Sequence, residues 1–387
     1  MKIAFLIRSL ENGGAERQLT VLANELAERG HEVYVLVFYP GGVREHDVNT
    51  SLVRLVPIRK SSRWDVFGFG WQILRAVRII RPDVIHGYLS AGNIAATLGR
   101  VAAPGAKLVW GIRDSDMHFE KYGWMTRLTY SAAFALSRLA GLVIFNSHAG
   151  LRYWESRGWR HSGAVCVPNG IDTSAFEPDP EARQQMRTRL GVPDHVPLIG
   201  MAGRFDPMKD HANFVRAATK VGYDFPDAMF VCAGGMPEAG RARLEQIAHA
   251  GGIGGRLLFP GPIRDMRGFY NALDVFCLSS LYGEGFPNVV GEAMACGRPC
   301  VVTDAGDAAL VVGETGEVVP TSNPVALAKA ICRVLDAGEP DSEAIRNRVL
   351  ENFTVDNLAS RTESLLGLRG RQSARSAAAS SARTTTY

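Results

Sequence analysis

Short apolar runs alternate along this chain with longer stretches whose apolar residues return every three or four positions. KIAFLIR, HEVYVLVF, LVRLVPI, DVIHGYL, KLVWGIR, LVIFN and AVCVP are continuous enough to be strands buried on both faces. Between them lie segments such as GAERQLTVLANELAERG, which have helical spacing. A second series, VPLIGMAGR, AMFVCAGG, RLLFPG, DVFCLSS, RPCVVTD and GEVVP, repeats the alternation further on. Alternating strands and helices of these lengths predict an α/β fold with two Rossmann-like, doubly wound parallel-sheet domains. Turn residues collect in PNGIDTSAFEPDP, from Pro168 to Pro180, so the hinge is expected there, with the functional cleft between the halves.

Length agrees with two cores, since 387 residues exceed what one usually fills. Cys166, Cys232, Cys277, Cys296, Cys300 and Cys332 form no Cys-x-x-Cys pair, and most lie in apolar strand or helix patterns. Buried reduced thiols are therefore expected rather than disulfides or a metal site. The first residues have the pattern of a strand rather than of a signal peptide, and no window reaches the roughly 18 apolar residues that span a bilayer. The expected location is cytoplasmic, with peripheral attachment to the inner face of the cytoplasmic membrane as an option. The net charge of +4 hides an excess of cations in the first half and of carboxylates in the second. A basic first half suits anionic headgroups or a phosphate-bearing acceptor, and equally a solvated surface without partner. No nucleic-acid partner is expected.

The most informative segment is YGEGFPNVVGEAMACGRPC. It falls between two predicted parallel strands, at the carboxyl edge where such sheets bind ligands. A turn entering a helix presents free amides starting near Phe286 and Asn288, and Pro287 and Val289 belong to the same expected donor-binding turn. Glu284 precedes that turn and Glu292 follows it on the helix, so the two carboxylates can hold two parts of one polyol. In GMAGRFDPMKDHANFVRAA a strand ends at Gly203, and Arg204 and Lys209 lie on the loop before the next helix. Two cations there can neutralise a diphosphate, although structural ion pairs would also explain them. No Asp-x-Asp ends a strand; DSD at Asp114–Asp116 is the nearest imitation and reads as a turn. No metal site is predicted.

The run from Ser279 to Pro299, with G-E-G-F-P-N and the second glutamate, resembles the signature of the family 4 retaining glycosyltransferases. G-G-A-E-R (Gly13–Arg17), P-N-G-I-D (Pro168–Asp172), G-R-F-D-P-x-K-D (Gly203–Asp210) and T-D-A-G-D (Thr303–Asp307) match in order along almost the whole chain. The resemblance implies the GT-B fold and metal-independent transfer of a hexosyl group from a nucleotide-diphosphate sugar, UDP first and GDP second, with no cofactor beyond that co-substrate. It implies a first domain over 1–167 for the acceptor and a second over 168–353 for the donor. A helix over 354–366 would cross back to the first domain, and 367–387 would be a disordered tail. Carried over by position, Arg204 and Lys209 stabilise the departing diphosphate, and Glu284 with the amides after it holds the transferred sugar. Glu292 accepts from the ribose, and the backbone of Ile263 and Arg264 meets the base. Gly13 and Gly14 open a helix after the first strand and allow close approach of the donor; a plain helix start would read the same.

Where relatives carry a histidine against the donor sugar, this chain has Arg113 and Asp114 in KLVWGIRDSD, an ending like that of enzymes of polysaccharide and lipopolysaccharide assembly. His86 and His118 are rival candidates for the first-domain contact, and either can be structural. The stretch SSRWDVFGFGWQILRAVRIIRP mixes Trp64, Phe67, Phe69 and Trp71 with arginines, which suits a membrane surface reaching a lipid-linked acceptor, or a helix packed on the core with solvated arginines. HFEKYGWMTRLTY offers Trp124 beside Lys121 and Arg127 in the same way. The expected function is extension of a surface polysaccharide or glycolipid. An epimerase or phosphorylase on the same fold, and a nucleotide-sugar binding protein without catalysis, are the alternatives.

Overall fold

The computed structural model describes residues 1–59, 65–113 and 131–367. Seven parallel strands form the first sheet: β1 (Lys2–Ile7), β2 (Glu32–Val37), β3 (Val53–Pro57), β4 (Val84–Tyr88), β5 (Lys107–Ile112), β6 (Leu142–Phe145) and β7 (Ala164–Cys166). Their order is 3-2-1-4-5-6-7. Six more, β8 (Leu198–Ala202), β9 (Met229–Ala233), β10 (Leu257–Gly261), β11 (Val275–Leu278), β12 (Cys300–Thr303) and β13 (Glu317–Val319), form the second sheet in the order 10-9-8-11-12-13. Every apolar run read as a strand is one. Both sheets reverse direction of strand addition beside their first strand, and a crevice forms there above the carboxyl ends. Helices cover both faces of each sheet, so each domain has two apolar layers, one per face. That double burial is why the strands lack alternation.

Local chemistry sets the helix starts. Asp179, Asp210, Asp265, Asn323, Asp341 and Thr354 each accept an amide of the first turn. Pro180 and Pro324 occupy the first helical position, where a missing N–H costs nothing. The six cysteines are free thiols, four of them buried. No helix among the described residues is long and apolar enough to cross a membrane.

Two chain crossings join the domains. Where the chain leaves the first domain, the Ile171 amide donates to the carbonyl of Phe353 at 2.7 Å, and Ile171 bridges Thr354, where the chain returns. The crossing is tight: a Cβ on Gly170 would lie 2.8 Å from the Cα of Val355. This accounts for the glycine in P-N-G-I-D. Gln18 ties the same linker to the first domain, its side-chain amide making paired 2.9 Å hydrogen bonds with the backbone of Gly170. The last helix, Val355–Leu366, then packs on the helix Gly14–Glu28, with Leu358, Ala359 and Leu366 in the first domain's core. Arg29 holds Glu363 at 2.7 Å and Asp356 at 2.6 Å, while His31 meets the other oxygen of Glu363 at 2.8 Å. Residues 368–387, where most of the predicted tail falls, lie outside the described residues.

Across the cleft, Asp307 of the second domain caps a helix of the first. Its carboxylate accepts the His148 and Ala149 amides at 2.6 and 2.8 Å, at the start of the helix His148–Ser156. Asp307 is buried, so the positive end of that helix is matched by a carboxylate inside a low-dielectric joint.

Removing one partner of each contact separates their roles. Glu363→Ala leaves Arg29 and His31 short of an acceptor and should cost about 1–3 kcal/mol in chemical denaturation. Asp356→Ala, at an exposed carboxylate, should cost under about 1 kcal/mol; equal losses would refute the distinction. Asp307→Ala removes two charge-assisted hydrogen bonds of about 1.5–3 kcal/mol each. It should enlarge the radius of gyration in small-angle scattering, and an unchanged profile would show that closure does not need this carboxylate.

Candidate functional site

Glu284, Glu292, Lys209 and the first turn of the helix Asn288–Ala295 gather at the carboxyl edge of the second sheet, facing Gly13 and Gly14 of the first domain. β11 ends at Leu278, and the chain turns through Ser279 and Ser280 into the loop that carries Glu284. β8 ends at Ala202, and its loop carries Arg204 and the one-turn helix Pro207–Lys209. The loops are tied together: Leu281 donates to the Met208 carbonyl at 2.7 Å, and the Ser279 hydroxyl donates to the Lys209 carbonyl at 2.8 Å.

This tie places Lys209 Nζ 2.5 Å from Glu284 Oε1, which also accepts the Ser280 hydroxyl at 2.5 Å. Glu284 is buried because the next loop lies directly over it. Gly306 has φ +64, and a Cβ there would fall 2.1 Å from the Glu284 carbonyl oxygen. Arg204 is not part of this cluster; its side chain is 75% exposed and stands 3.5 Å from Asp206. His211, which the sequence analysis did not single out, is buried beside Phe205, where desolvation and the Lys209 charge lower its pKa to about 4. It is a neutral imidazole at physiological pH.

Glu292 lies deeper. Its Oε2 accepts the Tyr270 hydroxyl at 2.8 Å, and its Oε1 meets Arg17 of the first domain at 2.5 Å. Burial pushes the Glu292 pKa up, while the Arg17 charge and the Tyr270 and Arg17 hydrogen bonds oppose it. The Tyr270 hydroxyl goes well above its ordinary value, because it is desolvated beside that carboxylate.

At the helix start, Pro287 offers no side-chain cap. The Val290 and Gly291 amides turn back to the Pro287 carbonyl at 3.0 and 3.4 Å, which leaves those of Asn288 and Val289 without a helical acceptor. Phe286 is buried edge-on against Phe353, so only its backbone is available to a ligand, and Val289 packs against the same core. Asn288 faces the first domain: a Cβ on Gly14 would lie 3.3 Å from its Nδ2. Ile263 also packs on that core, and Arg264 beside it is exposed. The helix that follows this loop, Met266–Ala272, delivers Tyr270. Gly203 lies against the Lys209 methylenes, 3.6 Å from where a Cβ would sit.

On the first-domain side, Arg113 donates to the Tyr88 hydroxyl at 2.7 Å and to Asn169 Oδ1 at 3.1 Å, and Asn169 donates to Asn288 Oδ1 at 2.9 Å. A polar chain thus runs from the end of β5 through the linker to the donor-side helix. His86 lies beneath it, fully buried against Phe5 and Tyr88, with neither ring nitrogen hydrogen-bonded. Burial and the charge of Arg113 drive its pKa well below the ordinary histidine value, so it is a neutral core residue. Asp114, His118, Lys121, Trp124 and Arg127 lie outside the described residues, as do Arg63 and Trp64.

Tyr270 and Ser280 carry no role in the motifs read from the sequence, Asn169 and Asp307 enter there only as members of P-N-G-I-D and T-D-A-G-D, and Arg17 only as the end of G-G-A-E-R. Arg17 carried a signal, since a cation in a helix first turn opposes the macrodipole unless a carboxylate answers it. Among the described residues no group of three or more His, Cys, Asp or Glu side chains could hold a metal ion.

Residues 12–175 match the family model "Glycosyltransferase Family 4", and residues 196–337 match "Glycosyl transferases group 1". The GDP-mannose-dependent alpha-(1-6)-phosphatidylinositol monomannoside mannosyltransferase of Mycolicibacterium smegmatis is 30% identical over 367 residues, which are 90% of this chain and 92% of the relative. The 2-deoxystreptamine N-acetyl-D-glucosaminyltransferase of Streptomyces fradiae is 27% identical over 90% of this chain and 87% of its own. Among solved structures, HepE of Anabaena in complex with UDP superposes with a TM-score of 0.83 at 21% identity, covering 95% of this chain and all of HepE. The two domain models, the full-length relative and the paired parallel sheets agree: this chain belongs to glycosyltransferase family 4 and has the GT-B fold.

Proposed function

We propose that this glycosyltransferase moves a hexosyl group from a nucleotide-diphosphate sugar to a glycan or lipid-linked glycan in surface polysaccharide synthesis, with retention of configuration and without a metal. The carrying observation is the Lys209–Glu284 pair beside the open helix start at Asn288. The lysine and the carboxylate pair with each other at 2.5 Å. With a diphosphate at the helix start, Lys209 and Arg204 take the phosphate charge, and Glu284 turns its acceptor oxygens to the sugar hydroxyls. Glu284 is held by Lys209 and Ser280, which suits a hydrogen-bond acceptor better than a nucleophile. In the retaining step, the acceptor hydroxyl attacks C1 on the face that the β-phosphate leaves. The C1–O bond to phosphate breaks, and the acceptor proton passes to the departing phosphate oxygen. UDP is the first choice of carrier, since the HepE structures hold UDP and UDP-glucose. GDP is the second, since the mycobacterial relative is GDP-mannose-dependent.

The same reading includes attachment to an anionic membrane surface. The helix Val66–Ile80 buries Ile73, Val77 and Ile80 and leaves Phe67 94% and Trp71 67% exposed, with Arg75 and Arg78 also exposed. Aromatic and cationic groups on one outer face suit the headgroup layer, and this location beside the acceptor domain favours a lipid-linked substrate.

Thermal shift with UDP-, GDP- and ADP-sugars in EDTA should show stabilisation by one nucleotide family, lost in Glu292→Ala. In Lys209→Ala the nucleotide affinity should fall about tenfold to a hundredfold, as expected for a lost charged hydrogen bond. Stabilisation that requires a divalent cation would overturn the metal-free reading. Sedimentation with phosphatidylglycerol vesicles at low salt should carry the protein down, less so for Phe67→Ser/Trp71→Ser; equal partition onto neutral phosphatidylcholine would remove the anionic preference, and partition onto neither would remove the membrane.

A further inference from the structure

Arg17 reaches out of the first domain into a socket of the second. Its guanidinium is 2.5 Å from Glu292 Oε1 and lies over the ring of Phe176, 5.3 Å from the centroid. The side chain is 28% exposed and the Glu292 side chain 4%. Glu292 Oε2 is held from its own domain by Tyr270, so both carboxylate oxygens are fixed, one by each half of the molecule. Arg17 stands in the first turn of a helix, beside Glu16, where the macrodipole disfavours a cation and the Glu292 carboxylate across the cleft answers it.

Resting on the donor-site reading above, we propose that Arg17 is a positioning residue that completes the nucleotide's ribose site from the other domain, holding one oxygen of Glu292 while Tyr270 holds the second so that the carboxylate is set to accept the ribose hydroxyls. Each carboxylate oxygen has a second lone pair, so the ribose can donate to Glu292 while Arg17 and Tyr270 remain in place. The groups that act on Glu292 are Arg17 and the more distant Arg44 of the first domain, and Tyr270 and Cys296 of the second. Arg17 is the cation in hydrogen-bond contact. Without it, burial has less opposition, and the carboxyl takes a proton at higher pH. A protonated Glu292 donates one hydrogen bond and accepts fewer, so nucleotide affinity falls as pH falls and returns as pH rises.

The test is calorimetric titration of the full chain with UDP, or GDP where that is the nucleotide that stabilises the wild type, from about pH 6 to about pH 8.5. Arg17→Lys should follow wild type across the range, any slope common to both belonging to the nucleotide's own phosphate. Arg17→Met should fall progressively below wild type toward the acid end and rejoin it toward the alkaline end, the gap approaching about tenfold for a one-unit displacement of the carboxyl. Circular dichroism checks folding, and Arg17→Gln replaces Arg17→Met if that variant does not fold. A uniform loss in Arg17→Met at every pH, or wild-type binding throughout, overturns the proposal. Wild type that binds no nucleotide, or Glu292→Ala that binds as wild type, overturns the donor-site reading instead.

Discussion

A buried carboxylate needs a cation, and for Glu292 that cation comes from the other domain. Desolvation disfavours its charged form, and the hydrogen bond from Tyr270 supplies no charge to offset that. The constraint makes the two halves interdependent. A domain with Glu292 alone carries an expensive anion, and a domain with Arg17 alone carries a cation at the wrong end of a helix. Closing the cleft satisfies both.

The same logic recurs elsewhere at the joint. Asp307 answers the positive end of a helix in the first domain, and Asn288 receives a hydrogen bond from the linker residue Asn169, itself held by Arg113. These contacts are polar and directional, unlike the apolar layers inside each sheet. Such an interface opens at lower cost than a domain core and returns to one geometry when it closes. The crossing at Gly170 and Val355 keeps the two chain passages between the domains adjacent.

Within the second domain, the charged groups at the sheet edge are paired with one another. Lys209 and Glu284 neutralise each other at 2.5 Å, so neither is left as an isolated charge in a part-buried site. The loops that carry them are fastened by Leu281 and Ser279, which limits how far the pair can separate. The helix start at Asn288 carries no side-chain cap, so the amides there are free of a competing acceptor from Pro287's side chain.

Much of this was legible in one dimension. Thirteen apolar runs marked thirteen strands, because strands buried on both faces need an unbroken apolar sequence. The turn into the helix at Asn288 was readable because Gly, Pro and Asn have local conformational preferences, and the positions of Glu284 and Lys209 at strand ends followed from the strand pattern. Partners were not legible. Lys209 and Glu284 are 75 positions apart, Arg17 and Glu292 are 275, and Asp307 is 159 from the amide it caps. His86 looked like a candidate ligand until burial showed it as a neutral core group, and Arg204, read together with Lys209, turned out to face solvent. The sequence alone determined which segments become strands and helices and which residues stand at their ends, since those depend on neighbours along the chain. Which charge meets which, and at what depth, was decided by the packing of two domains, because electrostatic energy depends on distance and desolvation in space.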